Sequence, residues 1–249
     1  MAVNQAHFIP TIKPVKEQYD RAIFFDAVRL APMGKMSQDQ VDGLNQLLDL
    51  WERSKFTDRR WLAYMLATAK AETGSMRYDT REAKESWQGR FYGKPDHNTG
   101  QIYYGRGWPQ ETLPDNYKKS THEINSRNLI GRKVDLYNNP DEALKKDVSW
   151  VNLSYGLAEG WYTKHKLPDF FNGPYSSTTE EDWANARNIV NPGDKDEYVG
   201  GMGEAFFDAL TLAAKQASQP QKPPLDTTTA ELISRLKQKT GAKHIHLVY

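Results

Sequence analysis

The chain has 249 residues, 38% hydrophobic and 26% charged, which is enough to bury a sizeable core and unlike a disordered or membrane-embedded sequence. With 33 Lys and Arg against 32 Asp and Glu, no overall field marks nucleic acid as a partner. Cysteine is absent, which excludes disulfides, thiolate metal sites and a cysteine nucleophile and suits a chain made in a reducing compartment.

Residues 1–20 read as an irregular N-terminal arm with no apolar signal segment, and no run approaches membrane-spanning length. Stable membrane insertion is therefore not expected. The stretch "MSQDQVDGLNQLLDLWERS" predicts a helix, with Ser37 and Gln40 at capping-box spacing and Val41, Leu44, Leu48 and Trp51 as its buried stripe. A second helix is predicted from about Asp58 to Thr73, N-capped by Thr57 or Asp58 and stopped by Gly74. Its apolar positions Leu62, Met65, Leu66 and Ala69 recur at i, i+3, i+4 and i+7, and three residues further the stripe ends in Glu72.

Between Trp87 and Gly107, "RFYGKPDHNTGQIYYGRG" holds two aromatic-rich runs split by Gly, Pro, Asp and Asn, the texture of a short hairpin or a long surface loop. Helical patterning returns over Asp141–Glu159, in "EEDWANARNIV" and in "DEYVGGMGEAFFDALTLAAKQ". Pro220, Pro223 and Pro224 mark a linker over 217–227. A tail over 228–249 carries a last short helix, with Thr228 and Glu231 at capping-box spacing and Gly241 as a stop. From Ala217 onward the charge is +3, on a body of about −2. The expected fold is mainly α with one small β element.

Glu72 lies about 20° from Met65 on a helical wheel, at the margin of the apolar face. Glu82 follows ten residues later in the polar stretch "RYDTREAKESW". Hydrolysis of a glycosidic bond needs this contrast: an apolar-walled carboxyl that keeps its proton, and a wetter carboxylate that activates water. Ten residues of unbroken helix would part the two by about 15 Å. The chain must therefore turn at Gly74 to bring them to roughly the 6.5–9.5 Å of an inverting pair. By spacing alone the pair is equally an ordinary solvated couple, and Glu85 is an alternative second carboxylate.

At "AETGSM…RE…YYGRGWPQETLPDNY" the chain resembles the family 19 glycoside hydrolases, the class I chitinase-like fold, and in particular the short lysozyme-like branch of phage endolysins. The resemblance runs from about residue 22 to 215 and implies a lysozyme-like catalytic domain over 21–216 with a small β-hairpin. It also implies an acid at Glu72, a second carboxylate at Glu82, and Thr112 as the hydroxyl that holds the attacking water. Tyr103, Gln110 and Asn116 fall at sugar-binding positions, and "ARNIVNPGDKDEY" places Arg187 and Asn191 at the cleft. The sequence departs from the family pattern at Ala71, where His is usual, at Glu111, where Leu is usual, at Trp108, Pro109 and Pro114, and at Pro192 in place of Gly.

Other features point less far. His244 and His246 share one side of any strand, but no third ligand is evident, so neither a metal nor a cofactor is expected. Tyr103, Tyr104, Trp108 and Trp87 are candidates both for stacking on sugars and for the core. The tail helix, with Leu232, Ile233 and Leu236 largely apart from Arg235, Lys237 and Lys239, suits an anionic envelope, a partner, or packing on the body. The expected function is hydrolysis of β-1,4 bonds between the amino sugars of peptidoglycan, with chitin as an alternative polymer. The absence of a signal segment suits a lysin made in a bacterial host and released to the wall, or carried in a virion. The rival expectation is a non-catalytic relative, a glycan-binding or virion structural protein that keeps the fold.

Overall fold

In the computed structural model, residues 17–215 are described. The expected linker over 217–227, the tail over 228–249 with its two histidines, and most of the N-terminal arm lie outside them. The described chain is mainly helical, as its periodicity predicts. Its ends meet: β1 (Gln18–Tyr19) pairs antiparallel with β2 (Ala214–Lys215), Tyr19 opposite Ala214. The Asp20 amide donates to Ala213 O at 2.7 Å, and the Asp20 side chain caps α1 (Arg21–Leu30).

α2 (Gln38–Arg53) begins with the predicted capping box of Ser37 and Gln40 and buries Leu44, Leu47, Leu48 and Trp51. The Gln40 side chain also donates to Gly74 O at 2.8 Å, tying the start of α2 to the end of the next helix. That helix, α3 (Arg59–Thr73), is capped by Asp58, and Gly74 follows it at φ 62°. Every residue from Leu62 to Ala69 is buried, so α3 is covered on all sides rather than on one face. Its charged residues sit at its ends, which is the pattern of a helix running through a core. The buried guanidinium of Arg59 meets Glu17 and Thr211, and that of Arg60 meets Asp58, Thr178 and Gly173 O.

Beyond a single turn at α4 (Lys84–Trp87) and a 3-10 turn at Phe91–Gly93, the aromatic-rich stretch is a surface loop without strands. The small antiparallel patch lies beside it: Arg81 bridges Arg106, and Arg106 bridges Glu111 across a turn at 107–110. Next comes α5 (Pro114–Ser126), then a 3-10 turn at Pro140–Leu144 leading into α6 (Lys146–Glu159), which ends at left-handed Gly160. The short α7 (Leu167–Phe170) and α8 (Glu180–Asn185) lead through a 3-10 turn at Ala186–Ile189 to α9 (Asp196–Ala213). α9 makes the broadest packing with α3 and α8, with Gly200 and Gly203 letting it approach Ala184 and Trp183 closely. No helix among the described residues is long and apolar enough to cross a membrane.

Candidate active site

Glu72 stands in the last turn of α3, whose buried length fixes it. Its Oε1 accepts from Arg187 Nη1 at 2.7 Å; the Arg187 side chain is 4% exposed and that of Glu72 19%. Arg187 is held from its other side by the turn before α9: its Nε donates to Asp194 O at 3.0 Å and its Nη2 approaches Asp194 Oδ2 at 3.4 Å. Asn191, exposed on that turn, donates to the same Asp194 oxygen at 3.2 Å. Arg187 thus meets Glu72 directly, while Asn191 is linked to that pair through Asp194, a partner that sequence reasoning missed. An acid in a Pro-Gly-Asp turn looks solvated, and nothing in its spacing points 122 residues back.

Behind Glu72, one and two turns back along α3, lie Thr68 and Tyr64, whose buried hydroxyls have no hydrogen-bond partner among the described residues. Burial, with the charges of Asp196 and Glu72 against that of Arg187, pushes the Tyr64 phenol well above its ordinary range.

The chain reverses after Gly74. Ser75 and Thr80 hydroxyls meet at 3.1 Å, and Arg77 pairs with Asp79 at 2.8 Å across the turn. Met76 is fully buried at φ 65°, and its carbonyl accepts from Trp108 Nε1 at 2.6 Å. Trp108 therefore belongs to the core rather than to a sugar-facing surface.

Glu82 emerges from this turn against Gly105. Its amide donates to Gly105 O and its Oε2 accepts from the Gly105 amide, both at 2.8 Å, while Tyr92 Oη donates to Oε1 at 3.0 Å. Burial, and next the carboxylate accepting its proton, hold the Tyr92 phenol above its usual value. Tyr92 is the second residue the sequence did not reveal, one of several aromatics in the same loop. Glu85 faces solvent on α4, so Glu82 is the carboxylate that the fold engages. Among the described residues no hydrogen bond joins Glu72 to Glu82; each is held by its own partners at either end of the 74–80 reversal.

The 105–113 stretch completes the region. Gln110 and Leu113 take positive φ (49° and 79°), a conformation that costs a non-glycine residue about 1–3 kcal/mol, and they bracket Thr112. The Gln110 side-chain amide donates to Gly107 O and Thr80 O, Asn116 Nδ2 donates to Thr112 O at 2.7 Å, and Thr112 Oγ1 donates to Gln110 O at 2.8 Å. Gln110 and Asn116 thus build the turn that carries Thr112, and their amide donors are used within it.

Tyr103 is a correction. At 2% exposure its ring lies parallel to Tyr137, and its hydroxyl donates to Tyr137 O at 2.6 Å, so it has no face for a sugar. Successive residues of an extended chain face opposite sides, and it is Tyr104 that is partly exposed. Tyr104 stacks on Trp87 at 5.2 Å and 9°, carries the Arg106 guanidinium 3.6 Å from its ring centre, and binds Arg81 through its hydroxyl.

Glu111 turns away from the pair into a fully buried pocket. Its carboxyl is pushed up to about 7 by burial, against the hydrogen bond from Ser120, the charge of Arg106 and the hydrogen bond from Asn152.

An open groove of about 420 Å³, lined by Phe56, Asp58, Trp61 and Glu159 among others, lies at the N-terminal end of α3. The length of that helix sets it roughly 20 Å from Glu72. No group of three or more acidic or histidine side chains placed to hold a metal occurs among the described residues. No family model matches the chain, and no curated protein and no solved structure matches it.

Proposed function

We propose that this chain is a glycosidase that cuts β-1,4 bonds between amino sugars of the bacterial wall by a two-carboxylate, inverting mechanism. The observation that carries the reading is the arrangement at the two ends of the 74–80 reversal. Glu72 rises from a buried helix and Glu82 from a loop, each partly exposed and each oriented by dedicated partners. In this mechanism Arg187 holds Oε1 of Glu72, and the proton passes to the leaving glycosidic oxygen from the other carboxyl oxygen. Glu82, steadied by Tyr92 and the Gly105 amide, accepts a proton from the attacking water. Thr112 positions that water from the turn that Gln110 and Asn116 brace. Trp87, partly exposed and stacked by one face on Tyr104, offers aromatic surface for a sugar ring.

The polymer is peptidoglycan in this reading, with chitin as the alternative. The stereochemistry is the direct test. Proton NMR of freshly released reducing ends shows the α-anomer first for an inverting enzyme, and the β-anomer first would contradict the mechanism. A second reading, a glycan-binding relative without turnover, draws on the Glu72–Arg187 pair, because a bond of 2.7 Å serves equally as a strut between α3 and the turn before α9. Binding of peptidoglycan with no released reducing ends, unchanged by Glu72→Gln, would favour it.

A further inference from the structure

Glu111 is the buried acid that the proposed chemistry leaves unused. Its Oε1 accepts from Ser120 Oγ on α5 and its Oε2 from Asn152 Nδ2 on α6, at 2.5 Å each. Three ionisable groups face it: Arg106 from its own hairpin, Tyr117 from α5 and Tyr162 from the segment after α6. Arg106 is already committed to Asp141, to Ile102 O and Tyr104 O, and to the Tyr117 hydroxyl. The backbone groups of Glu111 and Arg106 bond each other in both directions, at 3.0 and 3.2 Å. The residue before Arg106 is Gly105, whose amide and carbonyl hold Glu82. A short run of bonds therefore leads from the Glu111 carboxyl to the carboxylate proposed as the base.

We infer that Glu111 is a positioning residue for Glu82: its neutral carboxyl seats the 106–111 hairpin on α5 and α6, and loss of its proton shifts Gly105 and with it the Glu82 carboxylate. The neutral form has an acceptor at hand. Asn152 Oδ1 is buried without a partner among the described residues, and a turn of that amide presents it to the Glu111 O–H. The ionised form has two donors but no solvent, and it pulls on Arg106, the neighbour of Gly105 in the chain. Because burial outweighs Arg106 and both hydrogen bonds, the two forms exchange near neutral pH.

The consequence for rate rests on the glycosidase reading, but the coupling itself is read without turnover. The test follows the Gly105 amide resonance of the full-length protein by ¹H–¹⁵N NMR from about pH 5 to about pH 9, with hydrolysis measured over the same range. In wild type the resonance moves with a midpoint near 7, and kcat falls through the same midpoint. In Glu111→Gln the resonance step vanishes, and the fall in kcat that remains is the one set by loss of the proton from the general acid, with no component at the Glu111 midpoint. Ser120→Ala, which removes a bond that favours the anion, shifts the midpoint upward and serves where Glu111→Gln fails to fold. A Gly105 resonance that stays still near neutrality, a step that survives Glu111→Gln, or a midpoint unmoved by Ser120→Ala overturns the inference. A step that responds to both variants in a protein that hydrolyses nothing supports the coupling and counts against the glycosidase reading alone.

Discussion

At Glu111 a carboxyl sits shut off from bulk solvent beside one committed arginine. The folded protein binds its proton more tightly than the unfolded chain does, with the group moved from its ordinary value near 4.5 to about 7. The stability this group contributes is therefore fully present below about pH 4.5 and is lost as pH rises through about 7. The loss across that window is about 3 kcal/mol for one group. Urea unfolding of wild type and Glu111→Gln at several pH values checks this: the variant's curve should be flatter over the window, and parallel curves would contradict it. The acid itself was legible in the sequence as a departure from the pattern of the family that the chain resembles. Its direction was not, because a residue beside a turn gives no sign of which face it takes. The resemblance placed Arg187 at the cleft but gave no sign of its pairing with Glu72, 115 residues away. Tyr92 and Asp194 gave no signal, because an aromatic among aromatics and an acid in a turn are ordinary residues.

The elements that sequence pattern reveals best are those with a dry face and a cap, and α2 with its Ser37–Gln40 box is the example. α1 and α5 were not foreseen. α1 is only ten residues long, and α5 buries only Tyr117, Ser120 and Ile124 among polar neighbours, too few positions to register as a stripe. α3 was placed within a residue of its observed limits, yet its all-round burial follows from where α2, α6 and α9 lie, which no local pattern encodes. The contact of α2 with the reversal after Gly74 yields a prediction. A Cβ on Gly43 would lie 2.2 Å from Met76 O, a backbone atom already bonded to Trp108, so the turn has to move. Gly43→Ala should cost roughly 1–3 kcal/mol in chemical denaturation. It should also lower hydrolysis by displacing Thr80–Glu82. An unfolding midpoint within error of wild type would show that the reversal yields freely.

At the scale of the molecule, the mainly helical class follows from composition and periodicity, while the pairing of β1 with β2 joins residues almost 200 apart and the packing of α9 along α3 joins residues more than 120 apart. That packing delivers Arg187 and Asp194 to the end of α3, and the 74–112 segment carries Glu82 and Thr112 beyond the chain's reversal. Two carboxylates on separate supports are thus proposed to act as one catalytic unit. Digestion of purified peptidoglycan by wild type, Glu72→Gln and Glu82→Gln, with fragments identified by mass spectrometry, tests it most directly. Reducing-end sugar fragments are expected from wild type, with a loss of about 10²–10⁴-fold in rate for each variant and folding retained. Equal digestion by wild type and both variants, or no sugar fragments from wild type on peptidoglycan or chitin oligomers, would contradict it.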